Sequence, residues 1–316
     1  MMARKIIISA VALLVLTPAA RADADAPWGD PVRAVNALLA KGSGLTFKET
    51  GTVGMHYRDA GSTPTGTFRY NGGYIIRTKG AANLSRSGVV ASKMTRTLEF
   101  DSGWRNLREQ AAQGDPWAFD MNAQQQAHYK ISVKGYSYAS GPLYKPKVPA
   151  GKTWARLGKL PGADAAYGDQ VINVFEPGTL KALMARSKRG DMLTFADDAH
   201  GKRHRVPFYN GNATFAQLFA LSPTFRKVLG GRLLPEYRNI RIFWSMTFTK
   251  EGLPIQVTSG WERLDKSFPQ QNGNLSTWYG FGPHAAIAPP PATRVATPNR
   301  QPLGDDRIDA FMRPFG

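Results

Sequence analysis

Hydrophobic and polar residues alternate most regularly between residues 240 and 282, near the C-terminal end of the chain. From Ile240 to Lys250 apolar residues occupy every second position, which is the period of a strand with one buried face. A Glu251-Gly252 turn and a polar loop separate this run from two further alternating runs. The pattern therefore predicts a three-stranded antiparallel meander. The apolar face of its first strand carries Ile242, Trp244, Met246 and Phe248.

Alternating segments also fill the first half of the chain. Residues 45–57 form the longest of them, which is typical of strands in a large curved sheet. Asn71-Gly72-Gly73 divides two shorter segments and predicts a tight turn or a bulge. We expect strands at residues 45–57, 67–70, 74–78, 89–100, 129–133 (continuing through Tyr138) and 152–157, with a short helix near Asn106–Gln113.

The remaining elements are predicted to be helical. Asp30-Pro31 supplies an N-cap and a proline at the first helical position, and Gly42 ends that helix. A second helix follows Pro177 and ends with Lys188, Arg189 and Gly190. Helices are also predicted after Thr214 and after Ser222-Pro223. The segment Asp197–Arg205 is predicted to be a charged loop or the end of a hairpin. Separate strand-rich and helical segments indicate an α+β fold.

The first 22 residues have the three parts of a secretory signal peptide. Arg4 and Lys5 precede an apolar segment, and Ala20-Arg21-Ala22 matches a cleavage site. We therefore expect an exported protein with a signal peptide at 1–22, a single domain at 23–291 and a proline-containing tail at 292–316. The chain of 316 residues contains no cysteine, so core packing alone must stabilise the domain.

Charge limits the possible partners. The net charge of +18 becomes +15 once the three leader cations are removed. A charge of this sign attracts anionic membrane headgroups or acidic wall polymers. Export and the lack of a recognised motif argue against nucleic acid. A basic segment supplies candidate membrane-facing residues, although it also fits ordinary solvated surface: Lys181, Arg186, Lys188 and Arg189.

Catalytic motifs are missing from the sequence. His200 and His204 lie four residues apart beside aspartates, but Gly201 interrupts a helix there and the H-E-x-x-H pattern is absent, which favours a solvated loop over a metal site. The chain has no G-x-S-x-G elbow. We expect no catalytic residue, metal or cofactor, while carboxylates that meet only in space keep an exported hydrolase open as an alternative.

Several motifs resemble a known family. Gly151-Lys152-Thr153-Trp154, then Tyr167-Gly168-Asp169 and a helix from Glu176 to Leu183, are similar to the core motifs of LolA/LppX/LprG-like lipoprotein carriers. The later segments IFWSMTFTKEGLPIQVTSGWE and STWYGFGPHAAIAPPP resemble the hairpin and closing strand of that family. The likeness covers residues 151–291. Such proteins usually carry a lipidated cysteine after the leader, and this chain has none.

The resemblance implies a strongly curved antiparallel half-barrel with helices across its concave face. The space between sheet and helices would hold the acyl chains of a lipid or another apolar envelope molecule, for carriage or sensing and without catalysis. An alternative is a regulatory protein-interaction module of the same fold, with a filled core. The candidate cavity residues are Leu183, Phe215, Leu218, Phe219, Trp244, Met246 and Phe248.

Overall fold

A computed structural model describes residues 28–58, 69–100, 112–114, 122–159, 168–263 and 270–296. The predicted signal peptide, most of the predicted helix near Asn106–Gln113 and most of the predicted tail lie outside these residues. Within them the chain has an α+β fold built on one large sheet, as the strand and helix patterns predict. In the described part of the chain no helix is long and apolar enough to cross a bilayer.

The sheet is open, curled and mostly antiparallel. Twelve described strands follow one another in the order β12-β6-β5-β4-β3-β2-β1-β11-β10-β9-β8-β7. Among these described strands, only the short β12 runs parallel to its neighbour, β6. The strands are β1 (Ser43–Arg58), β2 (Arg69–Ser85), β3 (Gly88–Phe100), β4 (His128–Val133), β5 (Tyr136–Ser140), β6 (Trp154–Lys159), β7 (Lys188–Asp197), β8 (Arg203–Thr214), β9 (Arg241–Phe248), β10 (Pro254–Arg263), β11 (Gln270–Gly282) and β12 (Val295–Ala296).

Four described helices start where the sequence predicts helices. They are α1 (Pro31–Lys41), α2 (Pro177–Met184), α3 (Phe215–Leu221) and α4 (Pro223–Val228). The Asp30 carboxylate accepts hydrogen bonds from two first-turn N–H groups of α1, and Gly42 ends the helix at a φ of 70°. Thr214 and Gln217 form a capping box at α3.

One apolar core joins the helices to the sheet. From the helices it receives Val35, Leu39, Leu180, Leu183, Phe215, Leu218 and Phe225, each at most 3% exposed. We call the side of the sheet that contributes to this core the inner face; among its residues are Leu45, Phe47, Tyr74, Ile76, Trp244, Met246, Val257, Leu275 and Tyr279. The opposite side is the outer face. The predicted meander is confirmed as β9, β10 and β11.

Three local predictions are wrong. Gly72 and Gly73 do not form a turn but pair with Met55 and Gly54 inside a continuous β2. The strand predicted through Tyr138 is divided by a turn whose Lys134 and Gly135 have positive φ, so β4 and β5 form a hairpin. Lys188 and Arg189 do not end α2, because the helix stops at Met184 and both residues belong to β7.

The chain after β11 crosses the sheet towards its far edge. Asn83 in β2 exchanges two hydrogen bonds with the backbone of Ala285, at 2.8 and 3.0 Å. Lys93 in β3 donates to the carbonyl of Ala286, and Lys152 donates to that of Thr293. We call residues 283–294 the strap. Because β12 follows it, the first residues of the predicted tail join the sheet.

Candidate functional site

The seven predicted cavity residues lie together in the main core. Six of them are at most 3% exposed, and Phe219 packs against the same core as a partly buried residue. Phe215 and Phe225 meet edge to face, with their ring centroids 5.3 Å apart. The helix stripe and the β9 face therefore converge as the sequence predicts. The two grooves described below are lined by other residues, so a ligand cavity at these seven positions stays a prediction.

A groove of about 810 Å³ lies between α1 and the end of β11. Ala34, Ala37 and Leu38 of α1 form one wall, and Leu253 and Phe281 form much of the other. Leu38 and Phe281 also pack against the main core, so one part of the groove wall adjoins the apolar interior. We call this the α1 groove. Sequence periodicity shows the helix stripe but not this wall, because Leu253 directly precedes β10 whereas Phe281 lies at the end of β11.

A second groove, of about 610 Å³, lies on the outer face over β1 to β4. Its floor is a ladder of directly opposed residues, in which Lys48 pairs with Lys79, Lys79 with Thr95, and Thr95 with Tyr129. The adjoining ladder runs from Thr46 through Ala81 and Lys93 to Ile131. We call this the outer groove. It combines lysines with apolar side chains, including Tyr129, which is 46% exposed.

The tip of the β7–β8 hairpin forms one wall of the outer groove. Ala199 donates its N–H to the carbonyl of Tyr279, and His200 Nε2 lies 3.3 Å from Thr46 Oγ1. Gly280 sits directly beneath the His200 ring, where a Cβ would collide with the imidazole. The tip is thus held against the sheet. The sequence prediction of a charged hairpin end at residues 197–205 is confirmed.

The two histidines of this tip face different partners. His204 Nε2 lies 3.1 Å from Asp198 Oδ2, whereas His200 contacts Thr46. Partial burial alone would raise the pKa of Asp198, but hydrogen bonds from His204 and from the backbone N–H groups of Lys202 and His200 outweigh it and lower that pKa. Among the described residues no three His, Cys, Asp or Glu side chains are grouped to hold a metal ion.

A polar cluster lies buried on the inner face. Arg96 Nη1 donates to Asp169 Oδ1 at 2.7 Å, and both side chains are at most 5% exposed. Glu49 accepts hydrogen bonds from the Asp169 N–H at 2.9 Å and from the Thr277 hydroxyl at 3.0 Å. We call this the acid cluster. It holds the segment at Gly168-Asp169, part of one of the family-like motifs, against the sheet.

Glu49 is the most perturbed carboxyl of the cluster. Burial, and then the charge of Asp169, raise its pKa to about 8 against the hydrogen bonds that lower it. At neutral pH Glu49 is therefore protonated, and the Arg96–Asp169 pair is the charged part of the cluster. A raised carboxyl pKa is typical of a general acid. However, neither Glu49 nor Asp169 lines either groove. We therefore assign a structural role to these two carboxyl groups.

The predicted basic residues lie at the surface, away from both grooves. Lys181, Arg186, Lys188 and Arg189 are all exposed, on α2, the turn after it and the start of β7. None of them lines the α1 groove or the outer groove. The lysines of the outer groove were not singled out from the sequence, where they are ordinary polar positions of alternating strands.

Comparison with known proteins leaves the geometry as the main guide to function. No protein-family model matches the chain, and no curated protein matches it.

Proposed function

We propose that this protein is an exported, non-catalytic binding protein for a lipid or another apolar envelope molecule, acting as a carrier or a sensor. The observation that supports the proposal is the α1 groove. Its volume of about 810 Å³ falls within the range of about 300–1,000 Å³ usual for small-molecule sites. Its walls are mainly apolar, and two of its residues also contact the main core.

In this proposal the helices lie across the concave side of the curled sheet, as they do in the LolA/LppX/LprG-like carriers that the motifs resemble. An apolar chain enters between α1 and the β11 end, beside Leu38 and Phe281. There it lies between Ala34, Ala37 and Leu38 on one side and Leu253 and Phe281 on the other. Binding is then driven by burial of apolar surface, which contributes a free energy of about 25 cal/mol per Å².

The two alternatives require different features. A protein-interaction module of the same fold needs a filled core and an exposed partner surface. A hydrolase needs carboxylates open to a substrate. The fully buried core favours the interaction module over the hydrolase, because Glu49 and Asp169 are 2% and 4% exposed and line neither groove.

The α1 groove can be blocked without touching the core. Ala37 is exposed and lines the groove, whereas Ala40 is exposed on the same helix and does not. We expect Ala37→Trp to abolish uptake of a fluorescent fatty acid by the mature protein, because the indole would obstruct the groove beside Leu38. Ala40→Trp should leave uptake unchanged. Equal uptake by both variants, with both folded by circular dichroism, would rule out the α1 groove as the entry site.

A further inference from the structure

We infer that the outer groove is a separate binding site for an anionic phospholipid, which it holds by the phosphate of the headgroup and the first part of an acyl chain. This site is on the opposite side of the sheet from the α1 groove and does not depend on the function proposed for that groove. The inference rests on the charge, the apolar surface and the walls of the groove.

The positive charge that the inference uses belongs to two lysines of the groove, Lys48 and Lys79. Lys48 and Lys79 are directly opposed on neighbouring strands, an arrangement that brings Cβ atoms to about 5 Å and is destabilising for like charges. Both are exposed, and neither has an acidic partner in the described part of the chain. By contrast, Arg77, which lies two residues before Lys79 on the same face of β2, pairs with Glu99 at a distance of 3.2 Å. A phosphate between the two lysines would relieve their repulsion.

The apolar part of the groove lies directly beside these lysines. Tyr129 stands two strands from Lys79 on the same ladder, and Ile131 is opposed to Lys93 on the next one. Trp154 from β6 completes this side. An inorganic anion would leave these side chains exposed to water, whereas the glycerol and acyl portions of a lipid would cover them. Tyr, Trp and Lys side chains are also common in membrane proteins at the depth of the lipid headgroups, where each places its apolar part towards the acyl chains and its polar end towards water.

Two features bound the groove. The hairpin tip with His200 closes one side, and Lys93 is fixed to the strap by its hydrogen bond to Ala286 at 3.1 Å. The open volume of about 610 Å³ accommodates a headgroup with part of a chain, because it lies within the usual range for small-ligand sites of about 300–1,000 Å³. Lys48 and Lys79 remain available for the phosphate.

The test is calorimetric titration of the mature protein with soluble dihexanoyl phosphatidic acid. The comparison ligands are dihexanoyl phosphatidylcholine, glycerol 3-phosphate and inorganic phosphate, which separate the headgroup charge from the chains. We expect binding of phosphatidic acid at least about tenfold tighter than that of any comparison ligand, and weaker at higher ionic strength. Equal affinity for inorganic phosphate would overturn the lipid assignment.

Variants locate the binding. Lys48→Gln with Lys79→Gln should weaken phosphatidic acid binding by at least about tenfold, because both cations that attract the phosphate are removed. The charge-matched control, Lys181→Gln with Lys188→Gln, should leave binding within about twofold. Tyr129→Ser tests the apolar part in a second folded variant and should weaken lipid binding but not the weaker binding of glycerol 3-phosphate.

The outcomes are distinct from those of the α1 groove. Ala37→Trp should leave phosphatidic acid binding unchanged even where it abolishes fatty-acid uptake. If Ala37→Trp removes phosphatidic acid binding, or if the control pair weakens it as much as the groove pair does, the outer-groove site is refuted.

Discussion

The buried carboxyl of Glu49 makes the stability of the fold depend on pH between about 4.5 and 8. Its pKa is raised from 4.5 to about 8 by burial and by the charge of Asp169. The folded state therefore holds a proton that the unfolded chain releases above pH 4.5. By linkage, the free energy of unfolding falls as pH rises from about 4.5 to 8 and then becomes level.

The magnitude follows from the pKa. A rise from 4.5 to about 8 corresponds to roughly 5 kcal/mol over the whole interval. Burial lowers the pKa of His128 from 6.5 to about 4, which makes stability increase with pH in that lower interval and opposes the Glu49 effect. Between pH 6.5 and 8 His128 no longer opposes the effect of Glu49. We therefore expect the free energy of unfolding to fall by about 2 kcal/mol over this interval.

Glu49→Gln removes the titrating group while keeping its shape. The amide oxygen can accept from the Asp169 N–H, and the amide nitrogen can donate to the Thr277 hydroxyl, which is also an acceptor. The variant should therefore fold and show little change in stability between pH 6.5 and 8. Glu99→Gln is the control, since Glu99 lies in an exposed ion pair and its loss costs at most about 1 kcal/mol.

Urea unfolding followed by tryptophan fluorescence at pH 6.5, 7.2 and 8 measures the effect. The reasoning fails if the wild type is equally stable at all three pH values. It fails equally if Glu49→Gln retains the wild-type slope.

Three further predictions concern stability. Leu218→Ala should cost about 2–5 kcal/mol in urea unfolding, since Leu218 is fully buried in the main core; a loss under 1 kcal/mol would indicate open space around it. Lys79→Gln should raise the melting temperature slightly, by relieving repulsion from Lys48 worth about 0.2–1 kcal/mol, and a clear decrease would contradict the opposed-lysine reading. Thr214→Ala should cost about 0.5–2 kcal/mol by breaking the capping box with Gln217, and hydrogen exchange should locate the loss at α3 rather than elsewhere.

Elements encoded by neighbouring residues could be predicted from the sequence. The caps at Asp30 and Thr214 and the alternation of β9 are local signals, so their elements appear where expected. β7 escaped prediction because it is an edge strand with charged residues in its sequence, KRGDMLTFAD, and such residues are common on edges. The prediction of a turn at the glycines within β2 was wrong because glycine is common both in tight turns and where two strands approach closely.

The site could be predicted only in part. The apolar residues of α3 and β9 meet in the core because each set already shares one face of its element. The outer groove depends on register across four strands, so the Lys48–Lys79 opposition has no local signal. The contact between Glu49 and Asp169 joins positions 120 apart. Its one signal in the sequence is a carboxyl on the otherwise apolar face of β1.

The central claim of the proposed function is that the protein, without its predicted signal peptide, holds an apolar molecule in the α1 groove. The most direct test is native mass spectrometry, with lipid extraction, of the mature protein from a bacterial secretion host. We predict a protein–lipid complex for the wild type and for Ala40→Trp, and an apo mass for Ala37→Trp. An apo mass for the wild type, with no uptake of lipid from liposomes, would contradict the claim and favour the protein-interaction module.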